Sequence, residues 1–184
     1  MDKTEELSCY KMNVVELQIW KGFSDEIVNN CIKMNIAKEH FHYVTDNLES
    51  KYYCHTCGYS EIYGYFMVDF GDRGGFSASI LTRSVQQAKL DFLKRILWNV
   101  SIQYECQNRQ VLKQKWNFST RYDGRKYSFD YTILKFHQIY SYEEIRDYIV
   151  ERTQYMNRWF YDQHWAYSEE QNQYIEISQS PEHD

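Results

Sequence analysis

Apolar residues recur at helical spacing near both ends of the chain and at a two-residue period in its middle third. Leu7, Tyr10, Val14 and Leu17 fall three or four apart, which predicts a helix within residues 4–20. Gly22 interrupts that pattern. Ser24 followed by Asp25 and Glu26 reads as a fresh helix start, with acids at the positive end of the helix dipole. Phe23 and Val28 suit a hydrophobic staple across it. Ile27, Val28, Cys31, Ile32 and Met34 then carry one apolar side to an end near Ala37. From residue 39 the period changes. Phe41, Tyr43 and Thr45 alternate with His40, His42 and Val44, residues 51–55 are rich in strand-favouring aromatics, and residues 61–70 read as a long strand. The cluster Gly71-Asp72-Arg73-Gly74-Gly75 reads as a turn, and residues 76–82 as the returning strand. These predict an antiparallel meander of about four strands over residues 39–82.

Residues 84–115 form the longest helical pattern, opened by a capping-box spacing of Ser84 and Gln87. Val85, Ala88, Phe92, Ile96, Val100 and Tyr104 line one side of it. A second helix is expected over 127–139. A third follows Ser141, which pairs with Glu144 in another capping box. Tyr140 and Ile145 form its staple, and Ile145, Tyr148, Ile149, Arg152, Met156, Trp159 and Phe160 run at three- and four-residue intervals along it. Residues 168–184 are polar and acidic; they read as a partly frayed tail, in which residues 174–177 can add an edge strand. There is no internal repeat and no linker, so residues 1–184 read as one domain. Strands segregated from helices place it in the α+β class, with N-terminal and C-terminal helices packed on the sheet.

Composition narrows the class further. Aromatics are 18 % of the 184 residues, and 18 of them are Tyr. Such a chain is not disordered as its dominant state. No stretch reaches the roughly 18 uncharged apolar residues that a membrane span needs. The first residues, Met1-Asp2-Lys3-Thr4-Glu5-Glu6, lack a basic segment followed by an apolar core, so a cytoplasmic location is expected. Five widely spaced cysteines agree with a reducing compartment. The net charge is -5, unevenly spread: residues 84–140 carry 10 basic and 4 acidic side chains, and residues 141–184 carry 3 and 10. That spread either neutralises itself in the fold or leaves an acidic face for a basic partner.

Candidate chemistry is sparse. Cys54-His55-Thr56-Cys57-Gly58 has half of a zinc-ribbon spacing, and His40 and His42 on a neighbouring strand are the nearest further ligands. A small zinc-stabilised binding module using Cys54 and Cys57 is therefore the rival reading, beside the plainer one of two thiols at a strand end. No phosphate loop and no His-Glu-x-x-His motif occurs, and His137 and His164 sit on predicted helices without a nearby ligand. No catalytic residue and no cofactor is expected. Basic and aromatic side chains interleave from Arg109 to Lys126, which suits single-stranded nucleic acid, but the stretch is short in an acidic chain and reads as a solvated connection. The last helix offers more. Glu143, Asp147 and Glu151 recur every four residues and share one side, with Tyr155 and Asp162 nearby. This set is the candidate partner-binding surface, as complementary charge speeds association and aromatics dominate hot spots.

The order of segments carries a resemblance. His40-Phe41-His42-Tyr43-Val44-Thr45-Asp46 is followed by Tyr65-Phe66-Met67-Val68 and by Asp72-Arg73-Gly74. Thr82-Arg83 and the helix from Leu90 follow, ending in Tyr104-Glu105-Cys106-Gln107-Asn108-Arg109. This order resembles immunity-protein family 63 of bacterial polymorphic toxin systems, over roughly residues 38–140. Cys54-His55-Thr56-Cys57 and the longer, aromatic C-terminal helix depart from it. The resemblance implies a cytosolic, non-enzymatic protein that binds and neutralises a cognate toxin domain. Surfaces rich in Tyr also make homodimers, so self-pairing stays open.

Overall fold

A computed structural model describes residues 3–45, 55–70, 75–118, 121–159 and 164–177. The chain is α+β, with six α-helices and five strands among these residues. Two antiparallel sheets are present, one of three strands and one of two. The chain divides into two compact units, residues 1–96 and 97–184.

The first unit begins with α1 (Lys3–Ser8) and α2 (Val14–Lys33). The helix start expected at Ser24 lies instead at Asn13. The Asn13 side chain accepts from the backbone N–H groups of Val15 and Glu16, and the Glu16 carboxylate accepts from the Asn13 N–H. The helix runs through Gly22. One interior glycine costs only about 1 kcal/mol, and α2 more than offsets that by burying Trp20, Phe23, Ile27 and Cys31. Glu16 itself is buried, and it also accepts from the Tyr10 hydroxyl at 2.6 Å and the Glu61 N–H at 2.9 Å. One carboxylate thus ties the N-terminal helices to a strand turn.

The strand expected at 39–45 is helical. Lys38–His40 is a 3₁₀ turn and His42–Thr45 is α3. The buried residues there are Phe41 and Val44, three apart, so the burial period is helical although the sequence also alternates. The sheet is therefore three strands: β1 (His55–Ser60), β2 (Gly64–Phe70) and β3 (Phe76–Thr82), in that order. The long strand expected over 61–70 begins three residues later, because Glu61 to Tyr63 form the hairpin turn that sets Ser60 opposite Gly64. Gly64 has φ +85°, and a Cβ there would run into the Thr82 carbonyl and Arg83. Residues 51–54, and residues 71–74 of the expected turn, lie outside the described residues. Leu7, Phe66 and Val68 pack together, and the rings of Trp20, Phe23, Tyr65 and Phe92 form an adjoining stack with centroids 4.3–5.7 Å apart.

Helix α4 (Val85–Gln114) matches the expected stretch, and the Gln87 N–H donates to the Ser84 hydroxyl as the cap predicts. Its residues from Leu97 onward belong to the second unit. There α5 (Gly124–Phe136) starts three residues earlier than expected, because Asp123 caps it by accepting from the Arg125 N–H. Helix α6 (Tyr142–Trp159) starts as expected: the Glu144 carboxylate accepts from the Ser141 N–H at 2.8 Å, and Ile145 is fully buried. β4 (His164–Ser168) and β5 (Gln173–Ile177) form a hairpin. His164 thus opens a strand instead of lying on a helix, and His137 sits just past the end of α5, its Nε2 3.3 Å from the Tyr167 hydroxyl. Trp165 and Tyr174 enter the core of this unit with Phe129, Phe136 and Tyr148. Residues 174–177, read as an edge strand, lie within β5; residues 178–184 lie outside the described residues.

Candidate functional site

Glu143, Asp147 and Glu151 stand one turn apart on α6, and all three are exposed. Glu143 lies 3.9 Å from Arg146, and Glu151 accepts from Arg152 at 3.0 Å. Asp147 has no ion-pair partner among the described residues. Val150, 45 % exposed, lies on the same side of the helix. The opposite side of α6 buries Ile145, Tyr148, Ile149 and Met156. Arg152 lies over the rings of Phe129 and Tyr148, with its guanidinium carbon 5.4 and 5.1 Å from their centroids. Tyr155 does not join the acidic stripe. It is half-buried, edge-on to Phe129 at 5.8 Å, and its hydroxyl accepts from Arg125 at 3.4 Å. Asp162 lies outside the described residues.

The cysteine pair is divided. Cys54 lies outside the described residues, while Cys57 is buried in β1, where burial pushes its thiol up and disfavours a thiolate. His40 and His42 lie on a helical turn and not on a paired strand, which removes the expected geometric basis for adding them to a site. Among the described residues, no group of three or more His, Cys, Asp or Glu side chains is placed to hold a metal ion.

The basic stretch 109–126 is organised around acids that the sequence reading did not single out. Glu105, on α4, is 4 % exposed. Its Oε1 accepts from Arg109 Nε at 2.8 Å and from the Tyr122 hydroxyl at 2.7 Å, and its Oε2 accepts from Arg109 Nη2 at 2.6 Å. The Arg109 fork holds the Glu105 carboxyl at about 2, against the upward push of burial, and Tyr122 adds to the pull. Gly124 makes room for this: a Cβ there would sit 2.5 Å from Glu105 Cδ. Beside it, Asp123 takes Arg125 Nε on both oxygens at 2.9 Å. Arg125 in turn lies 5.8 Å from the ring centroids of both Tyr155 and Trp159. The next residue of α5, the buried Lys126, meets Asp130 one turn on at 2.7 Å. Asp130 also accepts from the Tyr174 N–H at 2.7 Å. Burial outweighs the Lys126 charge here and pushes Asp130 up to about 6.

Between α4 and the start of α5 a cleft of about 320 Å³ opens, lined by Glu105, Arg109 and Lys113 on one side and residues 121–124 on the other. Lys113 lies over the Tyr122 ring at 5.7 Å, and Arg121 is exposed. The neighbouring aromatics face one another: Trp116 is 4.8 Å from Phe118, 5.3 Å from Tyr122 and 6.2 Å from Trp165. Their packing together leaves little ring face on which bases can stack. Two signals in the sequence point to these groups: opposite charges four apart at Glu105/Arg109 and Lys126/Asp130, and Asp123-Gly124 ahead of an apolar-periodic run.

Among the described residues, no helix is long and apolar enough to cross a membrane. No family model, no curated protein and no solved structure matches this chain.

Proposed function

We propose that this chain is a non-enzymatic immunity protein that binds and neutralises a cognate toxin domain of a bacterial polymorphic toxin system. The observation that carries the reading is the exposed stripe of Glu143, Asp147 and Glu151 on α6. Like charges at this spacing cost a few tenths of a kcal/mol per neighbouring pair, about 0.2–0.5. Their own helix offsets part of that: Arg146 stands 3.9 Å from Glu143 and Arg152 donates to Glu151 at 3.0 Å, while Asp147 has no ion-pair partner among the described residues. A cationic partner surface relieves the repulsion, speeds encounter and fixes register. The segment order over residues 38–140, which resembles immunity-protein family 63, supports the same reading. Inhibition then works by occupation of the toxin surface in the cytoplasm, in a heterodimer with a total interface of about 1,200–2,000 Å². No cofactor enters this mechanism.

The test is co-expression. The C-terminal domain of the protein encoded beside this chain is produced with and without it, and growth is scored. Relief of toxicity, with the two proteins co-purifying, is the expected result. Toxicity that persists in the presence of this chain overturns the reading.

A further inference from the structure

The cleft between α4 and α5 carries an excess of positive charge. Three cations line it, Arg109, Lys113 and Arg121, and two carboxylates, Glu105 and Asp123. Both carboxylates are already engaged, Glu105 by Arg109 and Tyr122, Asp123 by Arg125. Lys113 and Arg121 have no ion-pair partner among the described residues. Arg109 spends Nε and Nη2 on Glu105 and Cys106, and its Nη1 group has no protein partner among the described residues. A guanidinium carries five N–H donors, so this one keeps donors to spare while being held in place from behind. Its side chain is 48 % exposed, against 5 % for Glu105. A buried carboxylate thus fixes a half-exposed arginine at the edge of an open cleft, with two further cations beside it.

We infer that this cleft takes the carboxylate of an acidic side chain on the partner protein. The inference rests on the toxin-binding reading and adds to it the chemistry of a second contact. Glu105 is paired with Arg109 and Asp123 with Arg125, so the charge left for an occupant is that of Lys113 and Arg121, and an acidic side chain meets it. A protein partner supplies that negative charge as the carboxylate of an aspartate or glutamate, which Lys113, Arg121 and the Nη1 group of Arg109 can meet. Bases find few free ring faces here, since Trp116, Phe118 and Tyr122 pack on one another and Lys113 covers Tyr122. The cleft also adjoins α6 chemically: Arg125 binds Asp123 at its edge and lies against Tyr155 and Trp159. A partner with one acidic side chain for the cleft and cations for the α6 stripe would be held with a defined polarity. That gives specificity that a single acidic stripe lacks.

The experiment uses the whole chain, labelled with nitrogen-15, and N-acetyl-glutamate α-amide as a probe with one carboxylate. Saturable shifts are expected at the amides of Arg109, Lys113, Arg121 and Gly124. The glutamine analogue should give none, and inorganic phosphate is titrated beside them. The Lys113→Gln/Arg121→Gln variant changes two exposed side chains and should weaken the probe about tenfold, as expected for loss of a charge-assisted contact. No saturable shift, or phosphate binding tighter than the carboxylate, overturns the assignment. With the toxin domain in hand, the same variant should bind it about tenfold more weakly. Unchanged toxin affinity overturns the cleft as a partner contact, while growth rescue by the wild-type chain still upholds the inhibitor reading. A toxin that the wild-type chain fails to neutralise defeats the inhibitor reading, and the probe titration then judges the cleft alone.

Discussion

The second unit holds two groups of charged side chains, and they are built in opposite ways. Around the start of α5, each acid is answered by a fixed base: Glu105 by Arg109, Asp123 by Arg125, Asp130 by Lys126. Along α6, Glu143, Asp147 and Glu151 point into solvent, with one pairing at 3.9 Å and one with an arginine that also lies over two rings. The first group is buried or half-buried and belongs to the architecture. The second contributes little to the fold, and its charges are available to a partner. The difference teaches that a charge run is best judged by what its counter-charges are doing. The two groups should accordingly separate in experiment: substitutions in the first act on stability, substitutions in the second on binding.

The largest expected effect is at the buried pair. Lys126→Ala leaves Asp130 buried without its partner and should cost about 3–5 kcal/mol in urea unfolding. The double change Lys126→Met/Asp130→Asn keeps an acceptor for the Tyr174 N–H and removes both charges. It should recover most of that loss. A single variant as stable as wild type would break the comparison at its strongest point. Next is Gly124→Ala, which pushes a methyl against a carboxylate that already holds three bonds. The expected cost is about 1–3 kcal/mol, the range for a disrupted buried polar group. A thermal shift within error of wild type would show that Glu105 moves aside freely.

Two acids sharpen the comparison through pH. Glu105→Gln should cost about 1–2 kcal/mol at neutral pH, since the Arg109 end of the pair is half in water. Glu105 is held at about 2 in the fold against an ordinary 4.5. Its contribution is therefore present above pH 4.5 and fades as the pH falls toward 2. Asp130 runs the other way. Burial raises it from 3.8 to about 6, so its contribution is present below pH 3.8 and is lost as the pH rises through 6. Wild type should thus lose its advantage over Glu105→Gln in acid, and gain on Asp130→Asn between pH 6 and 4. Parallel profiles for the two variants would contradict the assigned environments. The smallest effect on stability is expected on α6, where Asp147→Lys/Glu151→Lys should change unfolding free energy by no more than about 0.5 kcal/mol.

Much of this architecture is legible in the sequence. α4 and α6 announce themselves through long apolar stripes and through Ser84 and Ser141 at their starts. The hairpin strands β2 and β3 follow from aromatic and β-branched runs. Other parts are hidden for physical reasons. Phe41 and Val44 satisfy a helical burial pattern inside a stretch that also alternates, and only tertiary contacts choose between them. Asn13 outcompetes Ser24 as a cap because Glu16 completes the box. β4 is five residues long, too short for its period to stand out after a helix. The acidic stripe is visible as a four-residue recurrence. The cleft is not, because Glu105 and Tyr122 lie 17 residues apart and meet only in the fold.

The central claim is that the chain binds a toxin domain through the exposed face of α6. The most direct measurement is the affinity of the purified toxin domain for wild type and for Asp147→Lys/Glu151→Lys at low and high salt. Tight wild-type binding that weakens with salt, and a loss of about tenfold or more on charge reversal, is the predicted result. Equal affinities for the two proteins at both salt concentrations would contradict the assignment of that face.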